Sequence, residues 1–179
     1  FQEWCPEYNG YIQYEPFFLS GDGDYLWMGL SEHPSAYVGF TGKLVRFNLT
    51  NKTTSVIAEG FTRPLGIAVN SQYIYLAEDA YLAKDFEGYN GRIARINKTS
   101  LEVARFDFGG FYLKFDSKGD LWWTDGVNGG VGIITTTGSQ FSWATKPSFF
   151  ITEVGHEMWF SELGSAFIGI LTTLPSDLN

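Results

Sequence analysis

The chain writes the same short pattern four times. An aromatic-rich run recurs as Leu26-Trp27-Met28-Gly29-Leu30, Ile74-Tyr75-Leu76-Ala77-Glu78, Leu121-Trp122-Trp123-Thr124-Asp125 and Met158-Trp159-Phe160-Ser161-Glu162. The intervals between anchors are 48, 47 and 37 residues. A copy of that size cannot bury its own apolar face, so the chain must fold as stacked units rather than as one continuous layer.

Each copy holds the same pieces in the same order. Another apolar run comes before each anchor: Phe17-Phe18-Leu19, Gly66-Ile67-Ala68-Val69, Tyr112-Leu113-Lys114-Phe115 and Phe149-Phe150-Ile151. A polar or glycine turn separates the two, which is the grammar of an antiparallel hairpin. A third run follows the anchor: Leu44-Val45-Arg46-Phe47, Ile93-Ala94-Arg95-Ile96, Val131-Gly132-Ile133-Ile134 and Ile168-Gly169-Ile170-Leu171. In the first three copies a fourth segment comes next. The spacing predicts four-stranded antiparallel units, with second strands centred on Trp27, Tyr75, Trp122 and Trp159 and almost no helix.

The anchor strands alternate little, and a strand that is apolar on both sides must be covered on both sides. Neighbouring units supply that cover. A small or short residue follows each anchor pair (Gly29, Ala77, Thr124, Ser161), as needed where strands crowd towards an axis. Outer segments such as Thr53-Thr54-Ser55-Val56-Ile57 are more polar. These features together predict an all-β fold, a β-propeller of about four blades.

Composition removes several function classes. With 44% hydrophobic and 18% aromatic residues the chain can bury a large core. It contains no apolar run of about 18 residues, so no transmembrane helix is expected. A net charge of −8 without a basic cluster argues against nucleic acid as a partner. The single cysteine, Cys5, cannot close an internal disulfide; it is read as an unpaired thiol, with pairing to another chain as the alternative. The first residue is Phe1 rather than Met, so the chain is expected to be processed, trimmed or partial.

The stretch Arg63-Pro64-Leu65-Gly66-Ile67-Ala68-Val69, then Tyr73 to Asp79, then Gly91-Arg92-Ile93, resembles an NHL-type repeat. The pairing of Leu121 to Asp125 with Gly130 to Ile134, and of Met158 to Glu162 with Ile168 to Ile170, is similar to the repeats of streptogramin lyase-like propellers. The resemblance covers residues 16 to 174 and implies architecture more than activity. It also implies six or seven blades, whereas the chain holds four, at 16–64, 65–110, 111–147 and 148–179. Residues 8–15, ending in Tyr11 to Glu15, are then read as an outer strand. That strand either closes a small four-bladed ring or finishes a blade upstream, and the partial propeller is the preferred expectation.

Three Asn-X-Thr sequons stand at Asn48, Asn51 and Asn97. Asn48 and Asn97 fall two residues past the equivalent Arg46 and Arg95, at the turn into an outer strand. A bulky N-linked glycan would cost the fold nothing there. The alternative is that these asparagines serve their turns through side-chain hydrogen bonds.

No nucleophile elbow, P-loop, Cys-X-X-Cys or His-Glu-X-X-His motif is present, and no catalytic residues are assigned. His33 follows one anchor strand and His156 precedes another, which puts them on opposite faces. The resemblance implies a histidine, a glutamate and a metal ion for lyase-type elimination, and neither histidine matches that pattern. Glu78, Asp125 and Glu162, by contrast, occupy one position in three successive copies, with Leu30 there in the first and Glu32 two residues on. Carboxylates gathered at a channel mouth would suit calcium or magnesium, and lactonase-type propellers hold a metal centrally. Otherwise these acids only begin solvated loops.

Two functions therefore stand as expectations. The first is a secreted or cell-surface glycoprotein that is not an enzyme: a binding or structural module of a surface layer or filament, with a protein or glycan partner on a propeller face. It assembles with other chains or with missing blades. The alternative is a metal-dependent propeller enzyme of the streptogramin lyase or lactonase type.

Overall fold

The computed structural model describes residues 13–33, 42–78, 91–126, 128–155, 157–162 and 168–171. These form strands only, arranged as consecutive antiparallel sheets. Blade 1 is β1 (Gln13–Asp22), β2 (Tyr25–His33), β3 (Gly42–Asn48) and β4 (Thr54–Phe61), paired in that order. Blade 2 is β5 (Pro64–Val69), β6 (Tyr73–Glu78), β7 (Arg92–Asn97) and β8 (Val103–Phe106). Blade 3 repeats the plan with β9 (Tyr112–Phe115), β10 (Leu121–Thr124), β11 (Val131–Ile134) and β12 (Gln140–Trp143). Blade 4 has β13 (Ser148–Val154), β14 (Glu157–Glu162) and β15 (Ile168–Leu171). The four anchors are second strands, as their spacing predicts.

One expectation is corrected. Gln13, Tyr14 and Glu15 do not form an outer strand; they begin β1, in register with His33, Glu32 and Ser31 of β2. A register shift between Pro16 and Leu19 lets the strand run on through the bulge, so a segment that reads as two strands is one. The same irregularity recurs between Pro64 and Ile67 and between Ser148 and Ile151.

The first strands of successive blades pack side by side, β1 with β5, β5 with β9 and β9 with β13. No contact of that extent joins β13 back to β1 among the described residues. Each sheet sends one face forward and receives the previous blade on the other. Trp27 and Leu44 of blade 1 pack on Ile67, Ile74 and Leu76 of blade 2. Tyr75 and Ile93 of blade 2 pack on Leu113, Leu121 and Trp123 of blade 3. Trp122, Val131 and Ile133 of blade 3 pack on Ile151, Met158 and Phe160 of blade 4. Because the forward faces of blades 1, 2 and 3 are met this way, the apolar residues on both sides of β6 and β10 are buried, as the weak alternation requires.

Within each receiving face, size is matched across the second and third strands. Trp123 lies opposite Gly132 and Phe160 opposite Gly169, Leu76 opposite Ala94 and Met28 opposite Val45. The two aromatic rings lie flat on their glycines: a Cβ on Gly132 would stand 2.3 Å from Trp123 Cζ2, and one on Gly169 2.0 Å from Phe160 Cζ. The largest side chains are thus admitted only where the neighbouring strand has none.

Gly29, the small residue after the first anchor pair, answers the crowding expected of it. A Cβ there would approach Pro64 Cβ to 2.8 Å. Its counterpart Thr124 is fully buried and donates a hydrogen bond to the Phe149 carbonyl of the next blade at 3.2 Å.

Gly132→Val should destabilise the protein by roughly 1–3 kcal/mol through overpacking against Trp123. Gly132→Ala combined with Trp123→Leu recreates the Leu76–Ala94 pair, so urea unfolding of the double-mutant cycle should show favourable coupling. Additive losses would contradict the size-matching account.

Candidate functional site

The centre of the arc is where first strands from non-adjacent blades approach one another. Phe18 of β1 meets Phe111 and Tyr112 of blade 3, at ring-centroid distances of 6.2 and 5.1 Å, and Phe150 of blade 4 at 6.3 Å. Tyr112 and Phe150 are 5.6 Å apart, and Phe111 meets Phe149 edge-on at 4.4 Å. All are edge-to-face contacts, the favoured geometry of aromatic pairs. Phe18, Tyr112 and Phe150 each come just before the equivalent residues Leu19, Leu113 and Ile151. Blade 2 has Gly66 at that position, where a Cβ would lie 2.5 Å from the Phe111 carbonyl oxygen. The inner strands therefore converge on an aromatic collar. The sequence shows these residues only as parts of apolar first-strand runs, although aligning those runs on the anchors places Phe18, Gly66, Tyr112 and Phe150 in one column.

The acidic column keeps its register but does not converge. Glu78 ends β6 opposite Arg92, and its side chain is fully buried. The Arg92 Nε donates to Oε2, and the Arg105 Nε donates to Oε1 at 3.4 Å. Arg105 also donates to the Gly60 carbonyl at 3.3 Å and lies over the Phe61 ring, so this cluster ties blade 2 to the outer strand of blade 1. Two guanidiniums around one carboxylate leave a net positive charge, an unfavourable place for a divalent cation.

Asp125, just past β10, accepts hydrogen bonds from the Asn128 backbone N–H at 2.9 Å and from its side-chain amide at 3.5 Å, and so braces the turn towards β11. Its carbonyl accepts the Ser148 N–H at 3.0 Å, linking blades 3 and 4. Glu162 stands half-buried opposite Ser148 and is likewise engaged. Among the described residues no group of three His, Cys, Asp or Glu side chains could hold a metal ion together. The expectation that Glu78, Asp125 and Glu162 share calcium or magnesium therefore does not fit their surroundings: Glu78 is held by two arginines of its own blade, and Asp125 braces its own turn. His33 ends β2, while His156 and Cys5 lie outside the described residues.

The sequon turns are near copies of each other. Asn48 ends β3 and Asn97 ends β7. Asn48 Oδ1 accepts the N–H groups of Thr50 and Asn51 at 2.8 and 3.1 Å, and Asn97 Oδ1 those of Thr99 and Ser100 at 2.8 and 3.0 Å. The equivalent residues Lys52 and Leu101 close the two turns with φ of 59° and 60°. Asn51, exposed within the first turn, accepts the Thr53 hydroxyl at 2.7 Å. All these bonds use the carbonyl oxygen. The amide nitrogen, the atom to which a glycan would be joined, takes no part in them.

Above the turns the two outer arginines stack on tyrosines, Arg46 over Tyr25 at 4.6 Å and Arg95 over Tyr73 at 4.7 Å. Beside Asn97 these side chains border a polar cleft of about 400 Å³ lined by Tyr73, Arg95, Glu102 and Val103. Burial pushes the nearby Tyr75 phenol above its ordinary value of 10.0, with Arg95 pulling the other way.

No protein-family model and no curated protein sequence matches the chain. Solved structures do. A streptogramin B lyase aligns over 91% of this chain and 70% of its own length, with 16% identity and a TM-score of 0.58. A gluconolactonase from Xanthomonas campestris aligns over 89% of this chain and 58% of its own, with 14% identity and a TM-score of 0.62. The calcium-binding protein regucalcin from Agrobacterium tumefaciens aligns over 80% and 52%, with 14% identity and a TM-score of 0.55. Likeness at these identities is a likeness of fold, and the fold is the β-propeller.

Removing the Glu78 charge should leave two guanidiniums facing each other at a blade junction. Glu78→Gln is expected to lower the free energy of unfolding by about 3 kcal/mol, the lower end of the range for breaking a buried ion pair, because both arginines are partly exposed. Asp125→Asn keeps an acceptor for Asn128 and should cost less than about 1 kcal/mol. Urea unfolding checks both, and equal losses would contradict the separate roles.

Proposed function

We propose that this propeller is a binding and structural module carried on a secreted or cell-surface glycoprotein, working as part of a larger assembly such as a surface layer or filament. The observation that carries the reading is the aromatic collar. Phe18, Tyr112 and Phe150 bring three aromatic rings together where the first strands converge, whereas a metal site there would need oxygen or nitrogen donors, and Glu78 and Asp125 are held by arginines and a turn. The glycan half of the reading rests on the twin turns. The Asn48 and Asn97 side chains brace their turns through Oδ1, so modification at the nitrogen would leave those bonds in place, and Asn51 projects from an exposed site. The partner on this reading is a protein or glycan that meets a propeller face or the rim.

A second reading is favoured by the solved structures of similar fold, which include a lyase, a gluconolactonase and a calcium-binding protein. On that reading the chain is a metal-dependent lyase or lactonase using calcium or magnesium. The two readings differ in their response to metal.

Protein secreted from a eukaryotic host should carry glycan mass that an amidase removes. Thr50→Ala, Thr53→Ala and Thr99→Ala each delete one sequon without touching an asparagine, and each should remove at most one glycan. The melting temperature should be the same in calcium and in chelator. Unmodified secreted protein would overturn the glycoprotein reading, and a calcium-dependent rise in melting temperature would favour the enzyme.

A further inference from the structure

Opposite the anchor aromatics Trp122 and Trp159, the third strands of blades 3 and 4 carry Ile133 and Ile170. Opposite Trp27 and Tyr75, blades 1 and 2 carry arginines instead, Arg46 and Arg95. An arginine stem can cover apolar surface while its head reaches water. The head of Arg95 is more constrained than that, because it lies over the Tyr73 ring at 4.7 Å and over the Phe106 ring at 5.6 Å. Stacking uses the face of a guanidinium and leaves its N–H edge for a partner in the plane. The other described cations of blade 2, Arg92, Lys98 and Arg105, each meet a carboxylate. Among these described cations Arg95 alone forms no ion pair, on a chain of net charge −8. Outward of Arg95 the sheet opens. Its partner in β8 is Ala104, whereas blade 3 sets Phe141 against Ile133. Beside that short side chain lies the polar cleft of about 400 Å³, which Arg95 lines with Tyr73, Asn97, Glu102, Val103 and Ala104.

We infer that this cleft binds an acidic sugar, a hexose-sized ring bearing one carboxylate, with the carboxylate on the Arg95 guanidinium edge and the ring hydroxyls on Glu102 and Asn97. The guanidinium fork matches a planar carboxylate through two parallel N–H···O bonds. Contact with two rings holds the head in place before the ligand arrives, so less side-chain freedom is lost on binding. Glu102 sets the charge of the ligand. Its carboxylate lines the same cleft, so a doubly charged phosphate is repelled more strongly than a single carboxylate. The same group is an acceptor for sugar hydroxyls, and the Asn97 amide nitrogen, unused by its turn, is a donor for them. Val103 and Ala104 give the ring an apolar surface to lie on, and the cleft volume falls in the range of small-ligand sites. Repulsion from the distant acids of the chain is screened beyond about 8 Å at physiological salt. The inference names a partner class for the binding reading above, on which it rests.

The test titrates the 179-residue chain with glucuronate, glucose, acetate and inorganic phosphate, and follows binding by calorimetry. The protein is made in a bacterial host, so that no glycan on Asn97 competes for the cleft. Glucuronate should bind at least about tenfold more tightly than each of the other three. Arg95→Gln should weaken it by about tenfold or more, as expected for the loss of a charge-assisted hydrogen bond. Arg95→Lys keeps the charge without the fork and should restore only part of that loss. Ala104→Phe copies the arrangement of blade 3 at an exposed position. It should close the cleft to glucuronate and leave the melting temperature unchanged, which keeps the test decisive if Arg95→Gln fails to fold. Acetate or phosphate binding as tightly as glucuronate overturns the sugar assignment, and equal affinity for glucose overturns the role of Arg95. A glucuronate dissociation constant above about 10 mM, or one that neither Arg95→Gln nor Ala104→Phe changes, overturns the site. These failures are distinct from those of the binding reading, which is judged by glycan mass and by the response to calcium.

Discussion

The structure depends on one constraint: the sheets are apolar on both faces, and where two blades meet their facing sides dry each other. The anchor strands carry Trp27, Tyr75 and Trp122 towards the following blade and Leu76, Trp123 and Phe160 towards the preceding one. At about 25 cal/mol per Å² of apolar surface removed from water, a blade standing alone would forgo most of its stabilisation. Stability is therefore shared between neighbours, as in other repeat architectures. One consequence is the crowding at Gly29 and Gly66.

Much of this was legible in the sequence. The runs around Trp27, Tyr75, Trp122 and Trp159 marked the second strands because a repeated short apolar run bounded by turn residues is a local signal, and the glycine and asparagine turns behaved as their chemistry demands. The first strand of blade 1 was less legible. The Pro16 to Leu19 bulge breaks the alternation, so Tyr14 and Glu15 look detached from Phe18 when they belong to the same strand. Size matching between Trp123 and Gly132 was present in the sequence but invisible without the register, which only pairing supplies.

The acidic column shows where sequence reasoning runs out. Glu78, Asp125 and Glu162 are equivalent along the chain, yet what a carboxylate does is decided by its non-local partners. Arg105 lies a full strand away from Glu78 and reaches it only because β8 folds back beside β7. Asp125 has Asn128 close by and becomes a turn brace. Shared position implies shared backbone geometry, whereas shared chemistry needs the same neighbours as well. The aromatic collar is the converse case: Phe18, Tyr112 and Phe150 are far apart in sequence and look like ordinary core residues, but the convergence of the first strands gives them a common location.

That convergence is the claim most directly open to measurement. In a Cys5→Ser background, cysteines replacing Phe18 and Phe150 should be joined by a short bifunctional maleimide, since the two rings lie 6.3 Å apart across the centre. A control pair at Phe18 and Val56, the latter exposed on an outer strand of blade 1, should not be joined. Intramolecular crosslinking of the first pair alone is the predicted result, read by mass after proteolysis. Failure of the Phe18–Phe150 pair to crosslink, with both thiols reactive to a monofunctional reagent, would contradict the arrangement of blades around a common centre.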